Sequence, residues 1–266
     1  MGEVIVITSG KGGVGKTTTT ANLGVGLALL GKKVALIDAD IGLRNLEVVM
    51  GLENRIVYDL VNVVEGHCRA KQALIRDKRY ESLFLLPAAQ TRDKNAVTPE
   101  QMKTLCNELK EEYDFVIVDC PAGIEQGFRN AIAGADRALI VTTPEVSAVR
   151  DADRIIGLLE ANELKDSKLI INRIRPDMVK RGDMMDIDDI LEILAIDLIG
   201  VIPDDEKIII STNRGEPVVA CENGSLAGQA YRNIVRRVIG EEVPLLELYK
   251  NQSVFTKLKK MIGLGR

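Results

Sequence analysis

The sequence predicts an α/β protein built on a mostly parallel sheet of about seven or eight strands with helices on both faces. Three observations carry that prediction: short Val/Ile/Leu-rich runs recur, turn residues bound each run, and the stretches between them are long and amphipathic. Strands buried on both faces read as continuous apolar runs, and parallel neighbours need a crossover of helix length. The runs are Val4–Thr8, Val34–Asp38, Leu83–Leu86, Phe115–Asp119, Ala138–Thr142, Leu169–Asn172 and Leu198–Ile202. Helices are expected at about 16–30, 99–112, 146–162, 186–194 and 225–239, with shorter ones between 44 and 76. Thr98 followed by Pro99 and Glu100 reads as an N-cap with proline at the first helical position. No linker or repeat interrupts the pattern before residue 240, so the expected division is one domain over 1–249 and a tail over 250–266.

Composition narrows the function. The 266 residues include 35 Lys plus Arg and 39 Asp plus Glu, a net charge of −4. Aromatic residues make up 3% and Trp is absent, unlike carbohydrate-binding sandwiches or RNA modules that stack bases on aromatic rings. The tail holds Lys250, Lys257, Lys259, Lys260 and Arg266 with no acid, so the body has 30 cations against 39 acids, or −9. An acidic body argues against a broad nucleic-acid surface, and no specific nucleic-acid partner is expected. Cys68, Cys106, Cys120 and Cys221 form no CxxC pair, which suggests neither a zinc knuckle nor a disulfide framework and points to a reducing, cytoplasmic location. No apolar run approaches the roughly 18 residues of a membrane span.

The chemistry begins at residue 10. Gly10-Lys11-Gly12-Gly13-Val14-Gly15-Lys16-Thr17-Thr18 follows a predicted strand and opens a predicted helix, and it satisfies GxxxxGK[ST]. Glycines let backbone N–H groups wrap phosphate oxygens closely, and the helix N-terminus adds partial positive charge. In that reading Lys16 reaches the β- and γ-phosphates and the Thr17 hydroxyl ligates Mg²⁺. The same stretch also reads as GxGxxG, with Asp38 placed as a ribose-binding acid of a dinucleotide site. That rival leaves the Lys16-Thr17 pair without a purpose.

Two further strands end in acids. Phe115 to Asp119 is an apolar strand closing on a carboxylate, the form of a Walker B acid that supports the magnesium shell, and Cys120-Pro121-Ala122-Gly123 then supplies a turn. Cys120 reads as a small buried filler. Leu36-Ile37-Asp38-Ala39-Asp40 ends the second strand with two acids on one face, because side chains alternate along a strand. Asp40 is the candidate that orients or deprotonates the attacking water and Asp38 the candidate for the metal shell. A capping role for both on the following segment is the alternative.

With Lys11 directly after the first glycine, the loop has the deviant KGGxGKT[ST] form, and the chain resembles the ParA/MinD family of dimerising ATPases over essentially its full length. Asp38 to Leu46, Asp119 to Glu125, Pro144 to Ser147 with Val149-Arg150-Asp151, and the tail resemble its septum-site-determining members in particular. The resemblance implies a P-loop NTPase architecture and hydrolysis of ATP to ADP and phosphate. It also implies that Lys11 crosses a nucleotide-sandwich homodimer to the partner's phosphates. For Asn172, Pro203 and Asp204 it implies an adenine pocket, and for Arg44, Ile124, Asp151 and Asp153 a surface for the division inhibitor MinC. A further partner that sets topological specificity or acts as a scaffold is implied as well. Plasmid-partitioning members of the family offer an alternative role in moving DNA or cargo.

The end of the chain reads SVFTKLKKMIGL. Val254, Phe255, Leu258, Met261 and Ile262 fall on one helical stripe, with Leu264 beyond it and Lys257, Lys259 and Lys260 flanking or opposite. A basic amphipathic segment of this kind suits the interface of an anionic membrane, which would make the protein peripheral on the cytoplasmic face of the cell membrane. Docking back on the protein is the alternative. His67, the only histidine, is expected at the surface without a role.

Overall fold

The structure is a computed structural model and describes residues 2–164, 166–221 and 224–248, so the tail read as a membrane-binding segment lies outside the described residues. Eight strands form one sheet: β1 Glu3–Thr8, β2 Val34–Asp38, β3 Ile75–Arg76, β4 Leu83–Leu86, β5 Phe115–Asp119, β6 Arg137–Thr142, β7 Ser167–Ile174 and β8 Leu198–Pro203. Their spatial order is β3-β4-β2-β5-β1-β6-β7-β8, and every pairing is parallel except that of β3 with β4. The helices are α1 Lys16–Leu29, α2 Leu46–Val49, α3 Leu60–Val64, α4 Ala70–Ala73, α5 Pro99–Lys110, α6 Gln126–Ile132, α7 Val146–Ala161, α8 Pro176–Arg181, α9 Ile187–Leu194, α10 Glu206–Thr212 and α11 Leu226–Val238.

All seven expected strands and five long helices are present, with no end moved by more than two residues. The sequence pattern does not predict the antiparallel β3 or helices α6, α8 and α10. Each of these helices is about two turns or less, too short for an apolar period to stand out. The predicted cap at Thr98 is a full capping box: its hydroxyl accepts from the Gln101 N–H and the Gln101 side chain accepts from the Thr98 N–H.

Side-chain alternation along the buried strands divides the core into two layers. Val4, Val6, Val116 and Val118 face Met102 and Leu105 of α5, while Ile5, Ile7 and Ile117 face Leu23 and Leu27 of α1 and Tyr231 and Ile234 of α11. Each such fully buried apolar side chain contributes about 1.5–3 kcal/mol. Helix α1 carries the loop that matters below, and it seats against the sheet and α11 through glycines. A Cβ at Gly24 would stand 2.6 Å from Leu36 Cδ2, and one at Gly26 would stand 2.5 Å from Val235 Cγ2. No helix among the described residues is long and apolar enough to cross a membrane.

Gly26→Ala should therefore overpack the α1–α11 contact and cost about 1–3 kcal/mol, measured as a lower urea midpoint at unchanged slope. An unchanged midpoint would mean that α11 can retreat without loss.

Candidate active site

Because the strands are parallel, their carboxyl ends share one edge, and the loop after β1 lies there between the chain ends of β5 and β6. Close packing explains two of its glycines. A Cβ on Gly10 would lie 2.4 Å from the Asp151 carbonyl oxygen of α7, and one on Gly15 would lie 2.4 Å from Asn172 Nδ2. Gly13 and Gly15 also adopt left-handed backbone at φ 77° and 104°. Val14 is buried beneath the loop, and Gly12 and Gly13 form its exposed rim.

The two lysines of the loop diverge. Lys16 is 8% exposed and donates to Ser9 Oγ at 2.9 Å. Lys11 instead reaches α7, where its Nζ donates to Ser147 Oγ at 3.0 Å and pairs with Glu145 Oε2 at 3.3 Å. Thr17 and Thr18 are half-buried at the start of α1.

Asp38 and Asp119 are register partners at the ends of β2 and β5, and each is 1% exposed. Burial pushes the Asp119 carboxyl from its ordinary 3.8 up to about 6, against hydrogen bonds from Thr17 and Thr20 and the charge of Lys16, with Asp40 adding to the rise. The Thr20 hydroxyl donates to Asp119 Oδ1 at 3.2 Å. Burial, and next the Asp119 charge, hold Asp38 well above the usual carboxylate range, although N–H groups of Asp40 and Leu46 bond to it. These acids suit a hard divalent cation. Two buried carboxylates sit side by side on the proton-binding side of their ordinary range, with the Thr17 hydroxyl beside one of them. Among the described residues no three His, Cys, Asp or Glu side chains make a self-contained cage. A Mg²⁺ ion, which keeps waters and rests on one or two carboxylates plus phosphates, matches such a partial donor set.

Several sequence expectations need correcting in geometry. Strand β2 ends at Asp38, so Asp40 lies in the turn beyond and the two acids do not share a strand face. Asp38 Oδ1 accepts from the Asp40 N–H at 2.9 Å and Oδ2 from the Leu46 N–H at 3.2 Å, which is the capping geometry weighed as the alternative. Asn172 does not end its strand, since β7 runs on to Ile174. It is buried, donates from Nδ2 to the Val14 carbonyl at 2.8 Å and accepts the Arg173 N–H at 2.9 Å, so it braces the loop. Pro203 closes β8, and the Asp204 N–H donates to the Ile174 carbonyl at 3.0 Å. Next to Asp204 a surface cavity of about 830 Å³ opens between Arg173, Arg175, Met178, Met184 and Glu145.

The candidate partner residues all follow strand ends at this edge. Arg44 lies in the turn after β2 at φ 51°, ion-paired with the buried Glu47 and 3.4 Å from Gln90 Oε1. Ile124 is 38% exposed after β5. In the first turns of α7, Asp151 is half-buried against Gly10 and Asp153 is exposed. Cys120 is buried with its thiol pushed up to about 12 by desolvation, in keeping with a filler, and His67 is exposed beside Glu65. Sequence reasoning missed Ser9 and Thr20, because a serine at a strand end and a threonine inside a helix carry no pattern of their own.

Three comparisons place this arrangement among known proteins. The family described as the CobQ/CobB/MinD/ParA nucleotide binding domain matches residues 5–218. The septum site-determining protein MinD of Bacillus subtilis is 61% identical, with 99% of each chain covered. The MinC:MinD cell division protein complex of Aquifex aeolicus matches at a TM-score of 0.85 and 54% identity, covering 92% of this chain and 98% of that one. The Pyrococcus horikoshii MinD complexed with Mg-ADP matches at a TM-score of 0.81 and 30% identity, over 90% of this chain and 96% of that one.

The raised carboxyl of Asp119 fixes the sign of a pH effect. Between its ordinary 3.8 and about 6 the folded chain binds more protons than the unfolded chain, so stability from this group is full at low pH and lost as pH rises. Asp119→Asn in EDTA should thus be more stable than the parent at pH 7, by on the order of 1–3 kcal/mol, and lose that advantage toward pH 4. Urea midpoints at the two pH values measure it, and a variant less stable at pH 7 would show that the carboxylate is well accommodated without a cation.

Proposed function

The chain belongs to the CobQ/CobB/MinD/ParA nucleotide-binding family, and from that premise we propose that it is the ATP-dependent, dimerising switch of a division-site selection system. It is an ATPase of this family. The observation that supports the dimer reading best is the divergence of Lys11 and Lys16. One lysine is turned inward beside Asp119 and the other lies outward on α7, its side chain 42% exposed. A lysine directed away from its own phosphate pocket is placed to reach a second copy.

In this reading the backbone from Gly10 to Thr18 wraps the phosphates and Lys16 holds the β- and γ-phosphate oxygens. Thr17, Asp119 and Asp38 would hold Mg²⁺, which supplies neutralising charge to those oxygens when bound. Asp40, in the turn beyond β2, orients the attacking water. Lys11 of each protomer neutralises charge developing on the phosphoryl group of the other, so hydrolysis waits for dimerisation. Asn172, Pro203 and Asp204 border the nucleoside side, and the neighbouring cavity gives a base room to enter.

Assembly would then control location. At about 1 kcal/mol per basic residue near an anionic surface, Lys257, Lys259, Lys260 and Arg266 contribute about 4 kcal/mol, to which the apolar stripe adds. A single tail binds reversibly on that scale, whereas two tails on one dimer gain roughly 10²- to 10⁴-fold avidity. On the dimer, Arg44, Ile124, Asp151 and Asp153 offer a surface for a MinC-type inhibitor, a reading supported by the A. aeolicus MinC:MinD complex. A topological-specificity or scaffold partner completes the proposed system.

Sedimentation with anionic liposomes tests the proposal. The full chain should pellet with ATP and remain in solution with ADP, and a chain ending at Gln252 should stay in solution with either. Equal pelleting of the two chains with ATP would remove the tail from membrane binding. Lys11→Ala should keep ADP affinity within about threefold yet lose ATP-driven dimers in analytical ultracentrifugation, and normal dimers would overturn the trans role.

A further inference from the structure

We propose that Ser9 is a positioning residue that holds both lysines of the phosphate loop through one hydroxyl. The inference rests on the ATPase reading above and adds a residue to which that reading gives no part. Ser9 directly follows β1 and is 1% exposed. Its oxygen accepts from Lys16 Nζ at 2.9 Å, and its hydrogen is donated to the Lys11 carbonyl at 2.8 Å. Residues 9, 11 and 16 therefore meet at a single atom.

Each bond has a distinct task. Lys16 is 8% exposed, and an ammonium so far from water needs an acceptor whenever phosphate is absent. Ser9 gives it one that is neutral and easily exchanged for a phosphate oxygen, unlike the carboxylate of Asp119 nearby. The second bond fixes the Lys11–Gly12 peptide. Gly10 is wedged against α7, where a Cβ would stand 2.4 Å from the Asp151 carbonyl, so packing fixes the loop just before Lys11 and the Ser9 hydroxyl fixes it just after. Holding the Lys11 carbonyl inward directs the side chain outward, where it meets Ser147 Oγ at 3.0 Å and Glu145 Oε2 at 3.3 Å. Hydrogen bonds in series strengthen one another, so the Lys16 ammonium also firms the grip of Ser9 on the Lys11 carbonyl.

The two tasks have opposite consequences for nucleotide affinity. Loss of the hydroxyl removes a competitor for Lys16, which favours phosphate binding, and loosens the loop, which disfavours it. For the step that needs Lys11 in place only the loss remains. Ser9→Ala should thus leave KM for ATP and the Kd for ADP within about threefold of the parent while lowering kcat and the ATP-driven dimer fraction. A drop of about twofold to tenfold is the worth of one buried hydrogen bond. Ser9→Thr, which keeps the hydroxyl, should restore kcat. Ser9→Cys, with a weak donor of similar size, should reproduce the split if the alanine variant fails to fold by thermal melting.

These measurements use the full chain: steady-state ATP turnover, calorimetric ADP binding and analytical ultracentrifugation. A kcat equal to the parent's in Ser9→Ala overturns the proposal. So does a loss of ADP affinity in step with kcat, or a folded Ser9→Thr no better than alanine. A parent chain that neither turns over ATP nor dimerises with it overturns the ATPase reading itself, whereas an active parent with an indifferent Ser9→Ala removes only Ser9.

Discussion

Two carboxylates buried side by side are the constraint around which the site is organised. Parallel pairing of β2 with β5 puts Asp38 opposite Asp119 where water is excluded, and neither charge is at ease there. Burying like charges is unfavourable unless hydrogen bonds and opposite charge offset it. The surrounding elements supply those offsets. Thr17 and Thr20 from α1 and the nearby Lys16 serve Asp119, and backbone N–H groups from the turn after β2 serve Asp38. In the function proposed above, a divalent cation and the phosphates would add to these offsets when bound.

The same offsets link the site to its surroundings. Asp38 accepts the N–H groups of Asp40 and Leu46, so the turn that carries Arg44 and Asp40 is tied at both ends to that carboxylate. On the other side, Gly10 packed on Asp151 and Asn172 bonded to Val14 couple the loop to α7 and β7. Asp151, proposed for partner contact, and Asn172, proposed for nucleoside contact, thus both touch the phosphate loop directly. A change at the phosphates has a short physical route to either, through packed contacts.

Much of this was legible in the residues. The strand rhythm, the long helices, the capping box at Thr98 and the loop itself are local patterns, set by side-chain periodicity and by the need for glycine near phosphate. Asp119 was legible because an apolar strand that closes on an acid is also a local pattern. The outcome was different where a residue's role depends on which atoms the folded backbone brings together, whether near or far along the chain. Nothing local to Asn172 shows that it also braces Val14, 158 positions earlier. Asp38 looked like the twin of Asp40 on a strand face, yet the strand stops between them. Ser9 gave no signal at all, since its importance lies in meeting Lys11 and Lys16 at one oxygen.

Residue order alone thus determined the architecture and the class of chemistry, because both follow from periodicities and spacings shorter than a helix or a turn. Folding in three dimensions decided the direction of each functional side chain: Lys16 inward, Lys11 outward on α7, Asp38 onto the turn it caps. Those directions are set by close packing and by competition for hydrogen-bond partners, with Ser9 seven residues before Lys16, with α7 more than a hundred residues after Lys11, and with the turn just after Asp38, and residue spacing alone does not say which partner wins.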